Sequence, residues 1–261
     1  MNDDINDLQG ERLWQALDWV GRLRRAEHIA FIIAQQGCRV ASGPFAGMVL
    51  PRETSWGEGD DLSAKLLGCY EAELHAALAK AIARNPATVI NVGCAEGYYA
   101  VGLARALPQA KVIAFDTDGN ARAICGRAAA ANGVGDRVRI EEACRLEDLQ
   151  AGITRDGLTL IVMDCEGAEF HLLNPTALPA LSHCDIIVEC HDFNAIGTSS
   201  LRHCLAATHM VENIREGARD PNQFPVLQKM RSLDRWLVID ESRPATMNWL
   251  VCWSKSPTGS A

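Results

Sequence analysis

Residues 88–104 read TVINVGCAEGYYAVGLA, and this stretch decides the fold. Thr88–Val92 reads as a strand. The chain then turns through Gly93-Cys94-Ala95-Glu96-Gly97 and enters a helix from about Tyr98 to Leu107. Strand, glycine-flanked loop and helix in that order open a parallel α/β sheet. A ligand lying across the carboxyl end of such a strand needs the backbone close to it, and glycine permits that approach.

Downstream, strand and helix alternate. Lys111–Phe115 is a second strand, followed by a helix from about Asn120 to Asn132. Val138–Glu141, Leu158–Met163 and Asp185–Glu189 are further strands, and His209–Ile214 with Asn248–Trp253 form a late pair. The prediction is an α/β, Rossmann-like, seven-stranded, mostly parallel sheet, in place of the six-stranded dinucleotide fold.

Upstream, Leu13, Leu17, Val20, Leu23, Ile29, Ile32 and Ile33 keep helical spacing, so residues 8–36 predict one or two amphipathic helices. Trp14 and Trp19 are expected to face the main domain or a second subunit, which makes the N-terminal helices a route to a homo-oligomer. A hairpin and loop over 38–56 and a helix from about Ala64 to Arg84 complete the approach to the sheet. The expected organisation is a helical extension with a hairpin over 1–60, a ligand-binding domain over 61–256 and a loose tail over 257–261. The interval 194–244 is expected to cover the mouth of the site. Its arginines read as a grip for an acidic acceptor or, more simply, as solvated surface.

Twenty-three residues after Gly93 the second strand ends at Asp116, where a carboxylate can accept two hydrogen bonds from ribose hydroxyls. The dinucleotide fingerprint G-x-G-x-x-G, started at Gly93, would demand glycine at Ala95 and Tyr98, and both fail. The looser G-x-x-x-G turn suits a nucleoside ligand without a pyrophosphate. The competing structural reading is that Gly93 and Gly97 only shape a tight turn and that Asp116 caps the next helix.

The chain resembles the class I S-adenosylmethionine-dependent methyltransferases, and within them the FkbM-like family. The resemblance rests on Asn91-Val-Gly-Cys-Ala-Glu-Gly97, Met163-Asp-Cys-Glu-Gly-Ala-Glu169, Val188-Glu-Cys-His191 and Gly68-Cys-Tyr-Glu71, and covers roughly residues 40–195. It makes 61–256 a methyltransferase domain and implies S-adenosyl-L-methionine as cofactor. Asn91, Gly93, Cys94, Glu96, Gly97, Asp116, Thr117, Ala143 and Asp164 are its candidate contacts. Asn91 stands where most class I enzymes carry an acid for the methionine amino group, and Glu96 is the candidate replacement.

Methyl transfer is an in-line displacement governed largely by placement. A hydroxyl acceptor also needs a base or a metal to take its proton. The catalytic candidates are Asp164, which ends strand four, and Glu189 and His191, two apart on strand five and so on one side of the sheet. His191 is the preferred base; its structural alternative is a buried histidine bonded to Glu189 or Asp192. Glu166 and Glu169 follow Asp164 at helical spacing, and Glu166 is equally suited to cap the helix. Asp164, Glu189, His191 and Asp192 would alternatively hold a divalent ion such as Mg2+.

Composition narrows the partners. The 25 Lys and Arg against 33 Asp and Glu give a net charge of -8, with no basic block, which argues against nucleic acid. No apolar run approaches a membrane span, and the acidic start MNDDINDLQGERL does not read as a signal peptide. Ten scattered cysteines without a CxxC pair fit buried thiols in a reducing cytoplasm. The expected activity is O-methylation of a hydroxyl on a small molecule or glycan. The alternatives are a nitrogen, carbon or protein acceptor, and a non-catalytic binding protein with the same fold. The absence of an Asn/Asp-Pro-Pro-Tyr/Phe motif after strand four counts against amino-group methylation of the adenine or glutamine type.

Overall fold

The computed structural model describes residues 10–53, 61–154, 156–191 and 197–256. Five parallel strands, β1 Thr88–Val92, β2 Lys111–Phe115, β3 Val138–Glu141, β4 Thr159–Met163 and β5 Cys184–Glu189, are joined to β6 His209–Arg215 and β7 Asn248–Ser254. The order is β3-β2-β1-β4-β5-β7-β6, with β7 antiparallel to both neighbours. This is the predicted sheet, including its late pair. Every residue of β1, β4 and β5 is buried, because helices cover both faces.

The helices are α1 Gly10–Gln36, α2 Leu62–Leu67, α3 His75–Ala83, α4 Tyr98–Ala106, α5 Gly119–Ala131, α6 Leu146–Gly152, α7 Glu169–Leu172, α8 Gly197–Ala206 and α9 Ser232–Ile239. The single helix expected over 64–84 is two. Gly68 ends α2 in the left-handed region at φ +78, and a Cβ there would lie 2.1 Å from the Ser42 carbonyl oxygen. The chain therefore turns sharply and resumes as α3 after a 3-10 turn at Ala72–Leu74. The expected hairpin reduces to one bridge, Arg39 to Val49.

Two apolar cores sandwich the sheet. One gathers α4, α5 and the segment 40–50, with Phe45 edge-on to Tyr98 at 5.2 Å; the other holds Ile90, Ile161, Ile186 and Leu250. Of the ten cysteines, Cys69, Cys94, Cys125, Cys184, Cys190 and Cys252 are buried, and none is paired in a disulfide. No helix among the described residues is long and apolar enough to cross a membrane. The tail 257–261 and Asp192 lie outside the described residues.

Candidate active site

The loop after β1 is shaped by its neighbours before any ligand is considered. Gly93 has φ +77, and a Cβ on it would stand 1.5 Å from the backbone oxygen of Asp164, at the end of β4. Gly97 has φ +94, and a Cβ on it would meet Cys125 Sγ at 2.8 Å. Chain-to-chain contact therefore demands both glycines, as the turn-only reading had it. The Gly93 and Cys94 amides both donate to the Phe115 carbonyl, each at 2.9 Å, tying the loop to β2.

Asp116 ends β2 as expected, and its carboxylate faces two ways. Oδ2 accepts from the Ala95 amide at 2.8 Å, and Oδ1 accepts from the Asp118 amide at 2.9 Å. Asp118, rather than Asp116, caps α5 by accepting from the amides of Asn120 and Ala121. Each Asp116 oxygen keeps a second lone pair. Asp116, Thr117, Ala143, Gly93 and Asp164 all line a cavity of about 700 Å³ across the carboxyl ends of β1 to β5.

Four candidate contacts sit behind that wall instead of lining it: Asn91, Cys94, Glu96 and Gly97. Asn91 is buried within the sheet and donates through Nδ2 to the Val162 carbonyl at 3.3 Å, while its Oδ1 is a buried acceptor without a partner. Glu96 is buried against Lys65, which also holds Asp61 at 2.6 Å. Its charge is thus committed to a lysine, which argues against Glu96 as the replacement carboxylate. Lys65, Asp61 and Tyr70 are what the cavity sees, with the ammonium 4.6 Å from the Tyr70 ring centre. Nothing in the sequence pattern joins Lys65 to the loop, because the Glu96 it meets there lies 31 residues away.

At the other end, Asp164, Glu166, Glu189 and His191 line the cavity together. His191 is buried, and its carboxylate partner is Glu169, not Glu189. Glu169 Oε1 accepts from the His191 amide at 2.9 Å and lies 3.0 Å from Nδ1. Nε2 is thereby aimed at Asp164 Oδ1, 3.5 Å away, and Glu166 Oε2, 3.6 Å away. Burial opposes the imidazolium, but the Glu169 bond and the charges of Asp164 and Glu166 outweigh it and raise the His191 pKa. Burial, then the charge of Glu71, pushes Asp164 up to about 7 against the pull of His191.

Glu189 faces a different partner, the Arg243 guanidinium. Burial and the charges of Asp164 and Glu71 push its pKa up, while Arg243 opposes them. Arg243 also binds Glu71 at 2.8 Å and Glu241 at 2.9 Å, and Arg219 binds Glu73 and Glu241, each at 2.8 Å. The arginines of the late interval expected to be solvated are, at these two positions, half-buried and held in ion pairs. Among the described residues of that interval, Glu241–Pro244 join the cavity wall, with Met247 beside them. Ala95, Glu166 and Ser242 line the cavity with φ +46, +57 and +55. Such backbone costs about 1–3 kcal/mol per residue and clusters where geometry is functional.

The metal set expected from sequence is divided. Asp164, Glu166 and His191 bring ligand atoms within 4.8 Å of one another, and so do Glu71, Asp164 and Glu189. Glu189 and His191 belong to different triads that share Asp164, and Asp192 is outside the described residues.

No family model matches the sequence, and no curated protein does. Among solved structures, the chain is similar to the O-methyltransferase TomG from Streptomyces achromogenes, in complex with SAM, at 15% identity over 67% of this chain and 77% of that one, TM-score 0.44. It is similar to the precorrin-6y C5,15-methyltransferase from Geobacter metallireducens GS-15 at 12% identity, 68% and 87% coverage, TM-score 0.44. Cofactor-bound Rv0187 from MTB is similar at 13% identity, 89% and 90% coverage, TM-score 0.44.

Proposed function

We propose that this chain is a methyltransferase of the FkbM-like kind, binding S-adenosyl-L-methionine in the 700 Å³ cavity and methylating a hydroxyl on a small molecule or glycan. The observation that carries the reading is one cavity running from a ribose-type carboxylate, Asp116, to a carboxylate-held imidazole, His191. The volume suits the cofactor, since small-molecule sites span roughly 300–1,000 Å³.

The bound cofactor supplies an electrophilic methyl group on a sulfonium. The chain's residues supply placement and proton transfer. Asp116 accepts the ribose hydroxyls with its remaining lone pairs, and Thr117 and Ala143 wall that end. Asp164, beside Gly93, orients the reacting end. His191 Nε2 takes the acceptor's proton, and Glu169 holds the Nδ1–H so that Nε2 keeps its lone pair outward.

Titrating S-adenosylmethionine into the protein by calorimetry tests this. Binding is expected, weakened about 10- to 100-fold in Asp116→Asn, because a hydrogen bond to a charged group contributes roughly 1.5–3 kcal/mol. No heat with the intact protein ends the enzyme reading and leaves a non-catalytic binding protein. Nitrogen, carbon and protein acceptors are separated by product analysis.

A second reading gives the same residues to a divalent ion. Asp164, Glu166 and His191 would hold it, with Glu169 fixing the imidazole from behind as carboxylates do for metal-bound histidines. Glu71, Asp164 and Glu189 offer the all-oxygen set that suits Mg2+, but Arg243 already neutralises that set. His191 cannot be both base and ligand. Turnover that survives exhaustive chelation keeps the base role; loss restored by Mg2+ assigns the ion. The cysteine usage supports a cytoplasmic setting, which localisation of a tagged chain would check.

A further inference from the structure

The buried residues of α1 all lie in its C-terminal half. Arg25, His28 and Ile32 are buried, and Gly21 meets Leu237. Continuing that spacing of three and four residues toward the N-terminus reaches Leu17 and Trp14, which are 57% and 65% exposed. From Gly10 to Arg24 no residue of α1 is buried, although the helix continues unbroken. An isolated helix of about 15 residues is marginal in water, so this half needs a covering surface.

The uncovered face does not end with α1. Val20 and Leu233 share a shallow groove at the junction with α9, where Arg24 grips Asp234 with two bonds of 2.9 Å. Leu233 is 79% exposed and Trp236 50%. With Trp14, Leu17 and Val20, these side chains present on the order of 600 Å² of apolar surface, taking roughly 200 Å² for each if fully exposed. Monomers rarely show contiguous patches above a few hundred Å². One partner in a standard interface contributes about 800 Å².

We infer that two copies of this chain associate through α1 and α9, the projecting half of each α1 covering the partner's Val20–Leu233 groove. An apolar helix beside an apolar groove on one protomer is self-complementary under a two-fold axis, which buries both elements twice. Several polar groups along α1 already have partners within the chain: Gln15 with Glu11, Arg22 with Asp18, and Arg24 with Glu27 and Asp234. What remains to be covered is mainly apolar, and the net charge of -8 opposes docking on an anionic bilayer.

Sedimentation equilibrium of the full chain is the test. Twice the 28.4 kDa chain mass is expected at micromolar concentration, falling two-fold to a single chain in L17E/V20E with its far-UV circular dichroism otherwise retained. If that variant fails to fold, hydrogen exchange on the unmodified protein decides. Amides 10–23 should lose protection on dilution while those of β1 and β4 keep it. A monomer at high concentration, a dimer indifferent to L17E/V20E, protection at 10–23 that is independent of concentration, or cosedimentation of the monomer with phosphatidylcholine–phosphatidylserine vesicles would overturn the inference.

Discussion

One oxygen of Glu169 binds His191 twice, at the backbone amide and at Nδ1, over 2.9 and 3.0 Å. The main chain and the ring of His191 are thus fixed by a single carboxylate that is itself fully buried. Burial opposes the charge of Glu169, yet the bonds from His191 dominate and lower its pKa, so it stays ionised at neutral pH.

Removing that charge should retune the imidazole. In Glu169→Gln the His191 pKa falls, and the acid limb of the kcat profile moves to lower pH while the affinity for S-adenosylmethionine holds. His191→Ala should lower turnover at unchanged cofactor affinity. Full activity in His191→Ala would remove His191 from the mechanism.

Stability should fall as pH rises between about 5 and 8. Asp164 and Glu241 are each held near 7, above the ordinary carboxylate range, and burial is the leading cause for both. His191 is also raised. In this window the folded state binds more protons than the unfolded state, so the stabilisation, full only below the unfolded carboxylate values, is largest at the low end and is lost through the folded pKa values. A net loss on the order of 1 kcal/mol, after solvent screening at the partly open Asp164, is roughly 2–4 °C in Tm for a chain this long. A Tm that climbs over that range would contradict the assignment.

Glycine at 93 should be irreplaceable. Gly93→Ala sets a Cβ 1.5 Å from a backbone oxygen and should cost more than about 4 kcal/mol, read as loss of soluble, cooperatively melting protein. Gly133 has a similar φ of +67 with nothing within 4 Å, so Gly133→Ala should cost only about 1–2 kcal/mol.

Glu96→Gln separates a structural role from a ligand role. It leaves the buried Lys65 paired with Asp61 alone, so unfolding by denaturant should show the loss of one charged hydrogen bond, about 1.5–3 kcal/mol. Affinity for S-adenosylmethionine should fall less than in Asp116→Asn. The reverse order would return Glu96 to the cofactor.

What the sequence carried was local. Apolar runs such as Thr88–Val92 and Asp185–Glu189 specify buried parallel strands by themselves, and the structure has strands there. Asp116 and the cluster at Asp164 follow because strand ends converge on one edge. The break at Gly68 depends on Ser42, a contact between segments that periodicity does not register. Arg243 meets Glu71 across 172 residues, and Arg24 meets Asp234 across 210, so neither pair leaves a pattern in the chain. The short helices α6, α8 and α9 span at most 10 residues, too few turns for a clear period. Glu169 was visible as a residue but not as the partner of His191, because α7 has to fold back to present it.

The missing Cβ of Gly93 has a mechanical consequence. With the loop after β1 seated on the Asp164 carbonyl, and the Asp164 amide bonded to Val92 at 2.9 Å, the loops after β1 and β4 are held together as one seam. Neither can be reshaped alone. A change in the shape of the cavity should therefore leave residues 164–169 in place and begin at Pro244 and Met247 on the opposite wall, which take no part in the ion pairs of Glu241 and Arg243.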